Sequence, residues 1–333
     1  MTSTGLDPRL ATAALAALER IPSVDLGHYP TPVQRIDAFQ TRAGLSQVVL
    51  LKRDDAIAFG FGGNKVRKLR YVIPPVLAAG ADTIVTCGGV QSNHARATAA
   101  AATRFGLDCH TVANGSEPTT PTGNALLSRL FGATLEYVAT REERKPAMDR
   151  AAARLEALGR RPVIVPLGAS TPHGAIGYAQ AVAELKDQGL VPDVIVHACS
   201  SGGTSAGLLA GCAIHGLKTR VIGISADDPP AAVAREVRSI LNGLGDLLGV
   251  GEHLANSARV EVDDGFLGSG YGEATAGSAE AQTLLARSEA ILVDHTYTAK
   301  ALAGLLAYCR DGRIPAQATV LFWHTGGQVA VFA

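Results

Sequence analysis

The chain has 333 residues, 47% of them hydrophobic, which suits one large α/β domain or two lobes with substantial cores. Its 30 basic and 30 acidic residues cancel, and no long run of like charge argues for nucleic acid or an anionic membrane as partner; a small substrate is expected. Five cysteines without CxxC or CxxxC spacing read as free thiols in a reducing compartment, with neither a disulfide frame nor a metal site.

In chain order, the first segment is MTSTGLDPRLATAALAALERIPSVDLG. It holds an apolar helical stretch, but acidic Asp7 and the lack of a basic cluster before it argue against a signal peptide. No window reaches the roughly 18 uninterrupted apolar residues of a membrane span, so a cytoplasmic location is the expectation. Short β-branched runs follow at 48–51 (VVLL), 82–86 (DTIVT), 163–166 (VIVP), 193–198 (DVIVHA), 220–225 (RVIGIS) and 319–324 (TVLFWH). Ala/Leu-rich stretches separate them, which predicts an α/β chain of parallel-type sheets flanked by helices. The runs are apolar throughout, as in strands buried on both faces, and ligands in such folds lie at the carboxyl ends of the strands. Residues 141–161 form a charged, Ala-rich stretch of the kind found in exposed helices, with a domain edge expected just after it.

Four segments carry candidate chemistry. The first is FGFGGNKVRKLRYV (59–72), where Gly60, Gly62 and Gly63 precede Lys65. Clustered glycines mark a loop of close backbone approach or positive φ. A lysine opening the next helix lies near the positive end of the helix dipole, which favours the neutral amine that imine formation requires. The competing reading is a solvated lysine beside Arg67 and Lys68. The second is TIVTCGGVQSNHARATAAAATRFG (83–106), a strand ending in Gly88-Gly89 with Ser92 or Asn93 placed to cap a helix. Backbone N–H groups there, with Ser92, Asn93 and His94, suit a carboxylate; a plain cap with a surface histidine is the alternative.

The third segment, VIVHACSSGGTSAGLLAGC (194–212), runs from strand through a small-residue turn into an apolar helix. Successive amides of the turn, with the hydroxyls of Ser201 and Thr204, suit a phosphate. Neither GxxxxGK[ST] nor GxGxxG occurs in it, so neither a Walker loop nor a dinucleotide turn is read here. The fourth combines GSGYGEAT (268–275), ILVDHTYTAKALAGLL (291–306) and the C-terminal VLFWHTGGQVAVF. Tyr297 and Thr298 are expected where a strand ILV turns into a helix, and Thr325 after another strand; each reads equally as a packed tyrosine or a helix cap.

Together GGNKxRKL, QSNH, SxGGTxAG, GYG, YTxKALAGL and HTGG resemble the D-cysteine desulfhydrase and 1-aminocyclopropane-1-carboxylate (ACC) deaminase family. These pyridoxal 5′-phosphate (PLP) enzymes share the tryptophan synthase β-subunit fold, fold type II. The resemblance implies a two-lobed chain, with residues 1–66 and 166–333 as the larger, PLP-binding domain and 67–165 as the smaller. It also implies a homodimer. Lys65 would hold PLP through an imine, Asn93 would bond the cofactor's 3′-oxygen, and Ser201, Gly202, Gly203 and Thr204 would take its phosphate. Tyr297 would stack on the ring and Thr325 would lie near the pyridine nitrogen. Ser92, Asn93, His94, Tyr271 and Thr298 would contact the substrate, with Lys65, Ser92, Tyr271 and Tyr297 carrying the chemistry.

The implied reaction is elimination or deamination of a small β-substituted amino acid, releasing ammonia and an α-keto acid. A neutral Thr325 cannot hold the ring nitrogen protonated as an aspartate would, which favours elimination over transamination. Thr298 and Thr325 stand where ACC deaminases carry Glu and Leu, so the desulfhydrase side is favoured over cyclopropane opening. Three departures from the family pattern, DHTY for DPVY, GYGEAT for GYGxPN or GYGxPT, and HTGGQVAVF for HTGGxPALF, bring in His295, Thr296, Glu273 and Gln328. They cluster in segments expected to line the substrate, which leaves L-cysteate, another β-substituted alanine or a biosynthetic intermediate open beside D-cysteine and ACC. The rivals are a nicotinamide-dependent oxidoreductase, which lacks its glycine fingerprint here, and a non-catalytic PLP-binding or amino-acid-binding protein.

Overall fold

The computed structural model describes residues 5–333, so the first four residues of the N-terminal segment lie outside it. Helix α1 (Pro8–Arg20) begins where Asp7 accepts the Arg9 N–H and Pro8 presets the first turn, and it buries Ala14 and Leu18. Strand β1 (Val33–Arg35), helix α2 (Asp37–Ala43) and strand β2 (Val48–Arg53) lead through a glycine-rich loop into α3 (Asn64–Ala78). The next run is β3 (Thr83–Gly89), α4 (Asn93–Arg104), β4 (Asp108–Asn114), α5 (Gly123–Leu130), β5 (Thr134–Val138), α6 (Arg144–Ala157) and β6 (Pro162–Ile164). Then come α7 (Pro172–Asp187), β7 (Val194–Cys199), α8 (Gly203–Ile214), β8 (Arg220–Ser225), α9 (Pro230–Leu247), α10 (His253–Asn256) and β9 (Glu261–Asp263). Helices α11 (Ala276–Glu289) and α12 (Thr298–Arg310) and strand β10 (Thr319–His324) complete the set.

The strands form two sheets, ordered β1-β2-β10-β7-β8-β9 and β5-β4-β3-β6. Every pairing is parallel except β1 with β2 at one edge. Six of the seven expected strands are present, so the α/β reading with parallel-type sheets holds. Four more strands had no clear signal. β1 and β9 are three residues each, while β4 (DCHTVAN) and β5 (TLEYV) mix polar with apolar side chains. Conversely, the expected strand at Ile291–Val293 is unpaired chain. Side chains satisfy its carbonyls instead of a neighbouring strand: Gln282 Nε2 donates to Val293 O and His324 Nε2 bonds Leu292 O.

Helices cover both faces of each sheet. Side chains of α7, α8 and α9 form one core against the larger sheet, those of α12 and α11 another, and α3 and α4 cover the smaller sheet opposite α6. All five cysteines are free and buried. Among the described residues no helix is long and apolar enough to cross a membrane.

Beneath α3 lies a buried ionic knot. Arg67 grips Asp54 through two nitrogens (2.6 and 3.1 Å) and reaches Glu184 at 2.7 Å, while Lys52 contacts Glu184 at 2.5 Å. The Tyr178 hydroxyl and Trp323 indole each donate to Asp54 at 2.7 Å. Burial works against the Asp54 carboxylate, but the Arg67 charge and these donors hold its pKa below the ordinary value. The knot ties β2, β10, α7 and α3 together two residues after Lys65, and so fixes the helix that carries that lysine.

Candidate active site

One cavity is lined by all four sequence-nominated segments. Its wall takes Gly89 and Asn114 from the ends of β3 and β4, Cys199 to Gly202 after β7, Asp227 after β8 and Thr325 after β10. The expected placement at carboxyl ends of parallel strands therefore holds.

Lys65 is the second residue of α3 and projects into this cavity. Burial, then the positive charge of Arg96, lowers its pKa to about 8. Its Nζ donates to Asn64 Oδ1 at 3.0 Å, and Asn64 Nδ2 donates to Thr204 Oγ1 at 3.1 Å. Asn64, absent from the sequence-level candidates, thus links the amine directly to the small-residue turn. The loop before the lysine packs backbone on backbone against the C-terminal HTGG. Gly63 (φ 96°) would place a Cβ 2.8 Å from Thr325 O, and Gly326 (φ 90°) would place one 2.6 Å from Gly63 Cα. Side chains at these left-handed positions would be both strained and overlapping.

The turn from Cys199 to Ser205 opens α8, with Gly202 left-handed at φ 81° as its cap. Ser170 Oγ accepts the Gly203 N–H at 3.3 Å and lies 2.7 Å from Ser201 Oγ. Lys68 stands beside it, donating to Ser170 Oγ at 3.1 Å and Gly168 O at 3.2 Å. This ammonium is 1% exposed and has no carboxylate partner among the described residues. Burial and then Lys65 push its pKa well below that of an ordinary lysine. A buried amine without a carboxylate partner, whose charged form an anion would restore, at a helix N-terminus rich in small residues, is chemistry that suits a phosphate.

The family model for pyridoxal-phosphate dependent enzymes matches residues 24–326. The chain belongs to that family. A 1-aminocyclopropane-1-carboxylate deaminase of Methylobacterium sp. (strain 4-46) is 36% identical, over 95% of this chain and 97% of its own. A D-cysteine desulfhydrase of Klebsiella pneumoniae (strain 342) is 35% identical, over 96% and 98%. Among solved structures, an ACC deaminase homologue superposes with a TM-score of 0.88 at 34% identity, covering 96% of each chain. Threonine deaminase isoform 2 of Solanum lycopersicum, at 17% identity and a TM-score of 0.70 over 98% of this chain and 86% of that one, shares the fold. The protein is accordingly a PLP-dependent enzyme of fold type II, and the nicotinamide and non-enzyme readings fall away.

In this PLP enzyme the amide oxygen of Asn93 is held by Asn124 Nδ2 at 2.8 Å, which leaves the Asn93 nitrogen as donor toward the cavity. Arg96 supports the same corner, donating to Asn124 Oδ1 at 3.1 Å and to the carbonyls of Gly60 and Gly62. Ser92 serves as the α4 cap, its Oγ accepting the Ala95 N–H at 3.2 Å, and also lines the cavity. Tyr271 and Tyr297 meet edge to face with hydroxyls 2.5 Å apart. Burial, then Tyr271, raises the Tyr297 pKa far above its ordinary value, so the phenol stays protonated at neutral pH.

Of the expected substrate contacts, His94 lines the cavity with a ring that already has partners, and Thr298 needs correction. The His94 ring is engaged on both sides: Thr86 Oγ1, which gives its own proton to Val165 O, accepts from Nε2 at 2.8 Å, and Thr98 Oγ1 lies 3.3 Å from Nδ1. Burial, then Lys65, pushes its pKa well below the usual value, so the ring brings no positive charge to a carboxylate. Thr298 is fully buried and trades hydrogen bonds with Asp294, donating to Oδ1 at 2.6 Å and accepting the Asp294 N–H at 2.9 Å. It is a helix-start lock outside the cavity wall. Thr298→Val is accordingly expected to lower stability by about 1–2 kcal/mol in denaturant titration while leaving KM in place.

The four departure residues likewise miss the wall, since none of Glu273, His295, Thr296 and Gln328 lines the cavity. Gln328 instead braces the glycine loop, donating to Asp55 O at 3.1 Å. The wall holds residues that sequence reading passed over: Lys68, Asn114, Arg141, Arg144 and Asp227. Arg141 and Arg144 lie in the stretch taken for a plain exposed helix.

Proposed function

We propose that this PLP enzyme catalyses elimination or deamination of a small β-substituted amino acid, in the manner of a D-cysteine desulfhydrase, releasing ammonia and an α-keto acid. The observation that carries the reading is the Lys65–Asn64–Thr204 connection, which joins a low-pKa amine to a phosphate-suited turn within one cavity. The names of the full-length relatives support the reaction class. In this reading PLP, when bound, supplies an electron sink that lowers the cost of removing the proton from Cα.

The protein's own residues do the rest. Ser201, Gly202, Gly203 and Thr204 hold the phosphate, with Lys68 supplying the counter-charge. Asn93 donates to the 3′-oxygen, Tyr297 covers one ring face, and Thr325 meets the pyridine nitrogen as a neutral partner. The start of α4, with Ser92 and Asn93, receives the substrate carboxylate. Lys65 Nζ takes the Cα proton and returns protons to the product, while Tyr271 faces the departing β-substituent across the Tyr297 hydroxyl. The cavity then lies between a larger lobe (1–66 and 166–333) and a smaller one (67–165), in a cytoplasmic homodimer. ACC opening is the second reading, favoured by the names of one curated relative and one solved structure.

The test is release of ammonia and α-keto acid across D- and L-forms of β-substituted alanines and ACC. Pyruvate with ammonia from at least one β-substituted alanine is expected. Release from none of them, in a cofactor-loaded protein, defeats the reading.

A further inference from the structure

The cavity wall carries two arginines that the proposed reaction does not use. Arg141 is already paired, at 2.7 Å from Asp227 Oδ1 and 3.7 Å from Asp228 Oδ1. Arg144 is not. Its Nε donates to the Arg141 carbonyl at 3.0 Å, which fixes the plane of the guanidinium, and it makes no ion pair among the described residues. Both side chains line the same cavity as Lys65, and the positive charge of Arg144 is felt by Tyr271 and Asp227.

The other anions of the reaction have their own sites: the phosphate at α8 with Lys68, and the α-carboxylate at the start of α4. Asp227 is the only carboxylate in the wall among the described residues, and Arg141 occupies it. A part-buried guanidinium with both terminal nitrogens lacking an acidic partner is the donor fork that matches a planar or tetrahedral acid group.

We propose that Arg144, held in place by the Arg141–Asp227 pair, recognises a second acid group on the substrate, so that the enzyme prefers α-amino acids whose β-carbon bears a sulfonate or carboxylate over neutral β-substituted alanines. This rests on the elimination reading for the fate of the substrate, but not for its recognition.

The test compares holoenzyme and Arg144→Gln in two ways. One is the ratio of kcat/KM for cysteate to that for β-chloroalanine; the other is the ratio of affinities for aspartate and alanine, read from the shift of the cofactor's visible band. Loss of a charge-assisted contact is expected to lower each acid-to-neutral ratio roughly 10- to 100-fold, with Arg144→Lys recovering part of it. A preference for cysteate over aspartate assigns sulfonate, the reverse carboxylate, and either supports the proposal. Ratios that do not move, or an equal fall for acidic and neutral ligands, overturn it; the latter would give Arg144 to the α-carboxylate. A fall in the aspartate-to-alanine ratio with no ammonia from any substrate keeps the proposal and defeats the elimination reading alone.

Discussion

Lys65→Ala is expected to abolish the borohydride-sensitive visible band of the purified protein and to lower turnover by about 10²–10⁴-fold from the lost proton transfer alone. The other lysines near the loop are poor substitutes. Lys52 is buried away from the cavity and spends its ammonium on Glu184, Gln188 and Thr31 O. Lys68 faces the turn and bonds Gly168 O and Ser170. A variant that kept the band would transfer the role to Lys68, the remaining cavity lysine. The pH dependence follows from the same amine. With a pKa of about 8, the neutral form is scarce below that pH, so cofactor uptake by the apo-protein should rise with pH and level off above 8. Uptake that kept climbing toward pH 10 would mean an ordinary, solvated lysine.

Asp54→Ala is expected to destabilise the fold by about 3–5 kcal/mol, the second large effect. Removing the carboxylate leaves Arg67 buried with only Glu184 to answer it, and orphans the donors of Tyr178 and Trp323. Replacing the pair together, Asp54→Leu with Arg67→Met, should cost less than Asp54→Ala, because no uncompensated charge remains. A double variant less stable than the single one in thermal melts would refute the electrostatic account. The knot also sets acid sensitivity. Asp54 and Glu184 have native pKa values below their ordinary ones. Their contribution is complete above the ordinary carboxylate range and is lost as pH falls through the lower native values.

What was legible in the sequence was local. The glycine loop before Lys65 and the small-residue turn announce themselves because backbone geometry restricts which residues fit there, and both lie in the cavity as expected. The apolar strands β2, β10, β7 and β8 of the larger sheet and β3 of the smaller were legible for a similar reason, since burial on both faces leaves a continuous hydrophobic run. Thr298 misled because a polar residue at a helix start looks the same whether it turns to a ligand or to its own helix; only its partner Asp294 decides. Arg141, Arg144 and Asp227 carried no signal. The two arginines sit among charged, exposed neighbours, and what brings them and Asp227 together is the meeting of the start of α6 with the loop after β8, a contact between segments more than eighty residues apart.

The meeting of Gly63 with Gly326 sets the gap between Lys65 and Thr325 by main chain alone. Such a contact has no rotamers and no volume to trade, so hydrophobic substitutions accumulating in either core would leave that span unchanged. Divergence in this lineage can therefore reshape the floor and rim of the pocket freely while Lys65 and Thr325, the two residues proposed to hold the ring, stay at a constant separation.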